Sequence, residues 1–486
     1  MGAHINDDPV TLVLLALMAV LSVPVVLFVV LRVTRPPFQI PSFRWLYLTW
    51  ACVMTAGLVW NINRTVRFSM DQAGADNYVR LAFLLLGAIS ILIIGARHRY
   101  AFFSELTSGV LMIFSLFSLW GLASTSWSVF PTGTLYKSLE YCTQLALLAL
   151  TASLIHLAVR DPRKRPFALK RVFDFVWLLI YMLIASVVVG ILVWPEYAIR
   201  EGERDAEGLL GFSIQGVLPA ISSNAVGQLG AIIGIVALVR LLYGSGSRVL
   251  YGSILAISLP IMVLTQSRSP ILAFLVAVVI ILLATRRFVL LALTGALFSA
   301  LLFTQQGQLI YEFMRRGQSE SSLTSLTGRV DYWKVSLDAV GERPFGGYGA
   351  YSGGRYVLSS VLGDQGPSTV HSLWVEVMLD TGVPGLILLT LGVGATWYWL
   401  LKLRPFPMNA SINSMLWVEC LGVLTVLSVR SFFGVEIVWD WNVLFFGLVL
   451  VFISVMRRQV AETHYAGANL ARPLQAIGER RPSLRR

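Results

Sequence analysis

The chain has 486 residues, of which 56% are hydrophobic and only 13% charged, and it carries a formal net charge of +12. A mean hydropathy of +0.73, with repeated apolar runs of about 18–25 residues, excludes a soluble core and predicts an all-α polytopic integral membrane protein. The basic residues cluster beside those apolar runs, as topology determinants do, which argues against nucleic acid as a partner and for the lipid bilayer.

In chain order the apolar runs give about 12–13 candidate transmembrane helices, near 10–31, 45–60, 79–95, 107–122, 135–158, 172–194, 218–242, 248–265, 270–285, 287–304, 373–401, 413–430 and 437–456. The connections alternate in charge. Every second one is basic, carrying Arg32, Arg35 and Arg44; Arg97 and Arg99; Arg160 through Arg171; Arg248; Arg286 and Arg287; Lys402 and Arg404; and finally the Arg-rich tail. The loops between them are neutral, mixed or acidic, so the charge bias predicts an outside N-terminus and an inside C-terminus. Asp7 and Asp8 precede the first run, which lacks the basic start of a cleavable signal peptide.

The expected organisation is a ten-span bundle over 1–304, a large outer loop domain over 305–371, C-terminal spans over 372–456, and a basic, disordered tail over 457–486 resting on anionic lipid heads. The outer loop has equal numbers of basic and acidic side chains and should fold. Within it Val330, Trp333, Leu337 and Val340 recur at helical spacing. They predict an amphipathic surface helix from about Arg329 to Glu342, ended by Pro344 and a turn at Phe345-Gly-Gly-Tyr-Gly349. Cys52, Cys142 and Cys420 lie in apolar segments at unrelated spacings, so neither a disulfide framework nor a zinc motif is expected. The chain carries no phosphate loop, no H-E-x-x-H and no outer D-x-D, and no metal or cofactor is expected.

Four groups on the outer side suit chemistry on a phosphorylated lipid. Arg268, in Thr265-Gln-Ser-Arg-Ser-Pro270, has no acidic neighbour in sequence; it either meets an anion or snorkels as an interfacial anchor. Arg329 starts the surface helix, where a guanidinium and a helix N-terminus together suit phosphate, the plainer reading being a solvated helix end. Arg204 sits in an acidic loop that leads to Ser222-Ser-Asn224; it either binds an anion or pairs with Glu203 or Glu207, and Asn224 either supports the site or caps its helix. His371 opens His-Ser-Leu-Trp-Val-Glu-Val-Met-Leu-Asp380 at the boundary of water and lipid, as a proton acceptor or as a structural helix start. Glu376 and Asp380 share one helix face, placed either to orient His371 or to bind a neighbouring helix.

Ser267-Arg268-Ser269, Leu326-Thr-Gly-Arg-x3-Trp333, Arg343-Pro-Phe-x-Gly-Tyr-Gly349 and His371-x10-Gly382-x2-Gly385 follow the order seen in the O-antigen ligase and O-antigen polymerase superfamily. From about Arg204 to Gly385 the chain resembles a member of it. The resemblance implies a metal-independent glycosyltransferase of the bacterial inner membrane, acting on the periplasmic side on an undecaprenyl-pyrophosphate-linked glycan. It implies that Arg268, Arg329 and Arg204 hold the pyrophosphate and that His371 assists the acceptor hydroxyl, in company with other polysaccharide export proteins. The chain has Ser372 where such proteins commonly have Asn after the histidine, and Asp380 at the acidic position before the first glycine. The Leu-Thr-Gly-Arg and Gly-Tyr-Gly pattern leans towards a repeat-unit polymerase; a ligase delivering polymer to lipid A core and a transporter-like homologue are the alternatives. No internal repeat of the transporter kind is visible.

Overall fold

The computed structural model describes residues 41–59, 75–200, 212–244, 247–315, 329–363, 369–409, 411–439 and 442–478. The expected span at 10–31 and the candidate Arg204 lie outside the described residues.

The protein is a helical bundle. In order come α1 (Pro41–Ala56), α2 (Ala75–Arg97), α3 (Arg99–Leu106), α4 (Gly109–Ala123), α5 (Pro131–Ala158), α6 (Arg165–Val193), the single turn α7 (Pro195–Ala198), a two-residue antiparallel pair of β1 (Ile199–Arg200) with β2 (Ser213–Ile214), α8 (Ser223–Tyr243), α9 (Arg248–Leu264), α10 (Arg268–Ala284) and α11 (Phe288–Leu302). The outer loop region supplies α12 (Gln305–Arg315), α13 (Arg329–Glu342) and α14 (Gly353–Leu362), and the chain returns through α15 (Leu373–Lys402), α16 (Ile412–Arg430) and α17 (Val443–Gly478). Among the described residues eight helices are long and apolar enough to cross a membrane, and α9, α10 and α11 are shorter apolar helices. The protein is an all-α polytopic membrane protein, as its hydropathy predicts. The helix over Arg329–Glu342 has the predicted bounds, whereas α3, α12 and α14 were not anticipated, and α17 runs past Arg457, where the periodic pattern was expected to end.

Local chemistry sets the helix ends. The side chains of Ser222, Ser247 and Ser411 accept hydrogen bonds from the first-turn amides of Ala225, Leu250 and Ser414, satisfying donors that a helix start leaves free. Gly244, at φ 63°, closes α8 in the left-handed conformation. Helices α8 and α16 and the 443–456 part of α17 are enclosed by their neighbours, while α2 turns a row of exposed apolar side chains, Leu85, Ile89 and Leu92, outward. Buried Arg240, in the last turn of α8, is paired with buried Glu419 of α16 at 2.6 Å and with partly exposed Asp174 of α6. Buried charges persist only when matched in this way.

Helix α15 is broken at Gly382, where φ 69° and ψ −172° leave helical geometry. The break frees backbone groups that the segment after α13 takes up: the amides of Tyr348 and Gly349 donate to the carbonyls of Leu379 and Asp380 at 3.0 and 2.8 Å, and Val383 donates to Pro344 at 2.8 Å. A small second core of Val340, Tyr348, Val357, Leu358, Val370 and Leu379 joins α13, α14 and the start of α15. Helices α13 and α14 are thereby packed onto the bundle.

Candidate active site

The connections with little positive charge meet at one end of the bundle. Ala220 donates to the Val59 carbonyl at 2.7 Å, the Gln266 side chain donates to Phe212, Trp127 Nε1 donates to Gly346 at 2.8 Å, Thr134 donates to Ala350 at 2.9 Å, and Leu373 donates to Ser431 at 2.9 Å. The basic connections meet at the other end, where Arg287 donates to Leu242, Arg404 donates to Ala284, and Arg165 pairs with Glu462. Between the loops of the first end lies a cavity of about 490 Å³ that includes Arg80, Lys137, Asn224, Gln228, Tyr351, Arg355, His371, Glu376, Arg430 and Glu436 in its wall.

Arg430, the last residue of α16, organises one side. Its Nη1 donates to Ser269 Oγ at 2.5 Å and its Nη2 to Gln228 Oε1 at 3.2 Å and Glu436 Oε1 at 2.7 Å. Asn442 Nδ2 donates to the second Glu436 oxygen at 3.2 Å. Ser267 donates to Asn224 Oδ1 at 2.6 Å, so the two serines that flank Arg268 tie the start of α10 to α8 and to Arg430. Asn224 is the second residue of α8 and faces this junction; the helix cap is Ser222. Arg268 begins α10, half-buried at the same junction. Buried Arg430 Nε and Gln228 Nε2 have no hydrogen-bond acceptor among the described residues.

The opposite wall is cationic too. Tyr351 carries the Arg355 guanidinium 3.4 Å from its ring centre and the Lys137 ammonium 5.0 Å away, contacts in which the ring face attracts cations. Lys137 is paired with Glu140 at 2.6 Å, and Arg355 donates to the Tyr351 carbonyl at 2.7 Å and stands 4.0 Å from Glu376. Arg80 donates to the Ala56 carbonyl at 3.0 Å.

His371 adopts φ 57°, a left-handed conformation rare outside glycine, and its neighbours hold it there. The Val370 amide donates to Glu376 Oε2 at 2.7 Å, the Val370 carbonyl accepts from Trp333 Nε1 at 3.0 Å, and the next helix begins under the Leu373–Ser431 bond. Nδ1 lies 3.3 Å from Thr369 Oγ1. In the tautomer that donates Nδ1–H to Thr369, Nε2 is the basic nitrogen. Burial, with Arg329 and Arg430 adding positive charge nearby, pushes the His371 pKa down to about 4. Burial and Arg430 also lower the pKa of Arg329, whose guanidinium makes no hydrogen bond or ion pair with any described residue. A neutral imidazole and an unmatched guanidinium therefore stand together in a positive field.

The two carboxylates do different jobs. Glu376 steadies the backbone before His371 and lines the cavity. Asp380 instead accepts from the amides of Tyr351 and Gly353 at 2.9 and 2.8 Å, which anchors Tyr351 and the start of α14, the helix that carries Arg355. Of the sequence candidates, His371, Asn224 and Glu376 line the cavity, Arg329 stands within electrostatic reach of His371, Arg268 sits at the serine junction, and Asp380 acts through the loop. Arg80, Lys137, Tyr351, Arg355, Arg430 and Glu436 were missed. Arg80, Lys137 and Arg430 carried a signal, being cations at the ends of apolar runs, an expensive placement that calls for an anion; Tyr351, Arg355 and Glu436 had no such signal.

Residues 253–390 match the family model described as O-antigen ligase. Over that stretch the chain is similar to the O-antigen ligase and polymerase superfamily, and the match supports a role of that type in polysaccharide assembly. No curated protein matches the chain. The matched stretch holds Ser267–Ser269, Arg329, the Tyr351 loop and His371–Gly385, while Arg80, Lys137, Asn224, Arg430 and Glu436 reach the same cavity from outside it.

Proposed function

We propose that this cavity is the site of a metal-independent glycosyl transfer on the periplasmic face of the bacterial inner membrane, from an undecaprenyl-pyrophosphate-linked glycan to a sugar hydroxyl. The observation that carries the reading is the juxtaposition of a neutral His371 with the unmatched Arg329 beside Arg430. In this reaction His371 Nε2 takes the proton of the acceptor hydroxyl, the acceptor oxygen forms a bond to the anomeric carbon, and the bond from that carbon to the phosphate oxygen breaks. The pyrophosphate leaves with one further negative charge, and fixed guanidinium groups stabilise that charge as it develops. Guanidinium suits the role because its planar donors meet phosphate oxygens in pairs. Arg329 and Arg430 both act electrostatically on His371; Arg268 and Arg204 join the set in this reading.

The acceptor is a second lipid-linked repeat, which makes the protein a repeat-unit polymerase; Leu326-Thr-Gly-Arg329 and Gly347-Tyr-Gly349 support this. A second reading, a ligase with lipid A core as acceptor, is favoured by the description of the matching family. Reconstitution in liposomes with lipid-linked repeats separates them. A ladder of longer glycans on the carrier, without lipid A, is the result expected. Transfer only after lipid A core is added makes it a ligase, and no transfer with either acceptor ends the glycosyltransferase reading.

A further inference from the structure

At the end of the bundle opposite His371, a second cavity of about 170 Å³ opens between the start of α4 and the later part of α17. Its inner wall is apolar and buried, made by Val110, Leu111, Leu450 and Ile453, and its rim is polar, with Ser108, Ser454, Arg457 and Arg458. The two arginines are not equivalent. Arg458 is committed to the protein, 2.9 Å from Glu105 and donating to Ser104 at 3.0 Å. Arg457 lies with its guanidinium carbon 3.9 Å from the centre of the Trp399 ring. It makes no hydrogen bond or ion pair with any described residue, so its donors have no acceptor among them.

The backbone makes room for this placement. Gly109 has φ 60°, and a side chain there would run into the Arg457 guanidinium. Arg457 stands near the end of the apolar stretch Val443–Glu462, the part of a span where long basic side chains reach for the head-group region. An apolar slot below, the Arg457 guanidinium above, stacked on Trp399 but with no acceptor for its donors among the described residues, and the exposed Ser108 hydroxyl at the rim are complementary to one ligand chemistry: a phosphodiester carrying a hydrocarbon chain. A soluble anion would use the rim and leave the slot bare. Basic pockets between spans that take anionic head groups are a general feature of membrane proteins.

We infer that the cavity between α4 and α17 binds an anionic phospholipid, its phosphodiester on Arg457 and an acyl chain along Val110, Leu111, Leu450 and Ile453. This is independent of the transfer chemistry, from which it is separated by the length of the bundle.

The test compares thermal unfolding of the full protein in nanodiscs of phosphatidylcholine alone, of phosphatidylcholine with phosphatidylglycerol, and of phosphatidylcholine with inorganic phosphate in the buffer. Selective binding to the folded state raises the midpoint, here by about 2 °C or more, only with phosphatidylglycerol. Arg457→Gln should lose that rise, whereas Arg163→Gln, which removes an exposed charge at the same end, should keep it. Should Arg457→Gln fail to fold, Ala461→Trp decides, because it fills the exposed edge of the slot and leaves every charge in place; loss of the rise supports the site and its persistence overturns it. Equal midpoints in the two lipids, an equal rise with inorganic phosphate, or a rise that survives in a folded Arg457→Gln protein also overturn it.

Discussion

His371 titrates near 4 because burial withdraws water from its cationic form and because Arg329 and Arg430 oppose a further positive charge. In the proposed reaction the same arginines hold the pyrophosphate, which couples substrate and base through one field. Below about 4 the imidazole is protonated and cannot accept the acceptor's proton. In the free enzyme, kcat/KM should therefore stay level as pH falls through 6.5 and drop only near 4. Bound donor offsets the arginines, so the acidic limb of kcat should lie at higher pH than that of kcat/KM. Initial rates across pH check both, and a limb of kcat/KM near 6.5 would contradict the assignment.

Replacing Arg329 separates its two effects. Arg329→Ala should raise the His371 pKa above about 4, visible by histidine NMR in the ligand-free protein, while reducing transfer through loss of phosphate contacts. Arg329→Lys should keep the low pKa and still lose much of the rate, because an ammonium cannot supply paired planar donors. His371→Ala should lower transfer by about 10²–10⁴-fold, with membrane insertion and the amount of folded protein unchanged. Normal product from that variant would remove His371 from the reaction.

At the scale of elements, the glycines of the sequence motifs are explained by the break in α15. Gly382 occupies a region of backbone space that is essentially glycine-only, and a Cβ there would strike the Phe345 carbonyl. Gly382→Ala should cost about 1–3 kcal/mol from the backbone alone and loosen the segment that carries Tyr351 and Arg355. Gly394→Ala, in the same helix with open space around it, should leave stability unchanged or slightly raised. Thermal unfolding of the two variants side by side measures this, and equal midpoints would mean the break is dispensable. The surface helix at Arg329–Glu342 was legible because its apolar spacing, its proline stop and its glycine turn are all local. The break at Gly382 was not, because the partners that satisfy its freed backbone groups, Pro344, Tyr348 and Gly349, lie more than thirty residues away.

For the molecule as a whole, among the described residues, the connections without net positive charge gather at one end and the basic ones at the other. Sidedness follows if the basic end faces the cytoplasm. In a cysteine-free background, a membrane-impermeant thiol reagent should label Ser359→Cys in intact spheroplasts and Lys164→Cys only after permeabilisation; both positions are exposed. The reverse pattern would invert the orientation and put the site in the cytoplasm.

The sequence alone determined that this is a membrane protein, where most spans run and which loops share an end, because hydropathy and charge bias are properties of short stretches read directly by the bilayer. Only the tertiary structure decided the composition of the site. Arg430 finds Ser269 and Gln228 at separations of 161 and 202 residues, and Lys137 meets Tyr351 from a different helix. A lone cation at the end of an apolar run has the same local sequence whether it snorkels to water or faces a cavity, and what distinguishes the two is the set of helices folded around it.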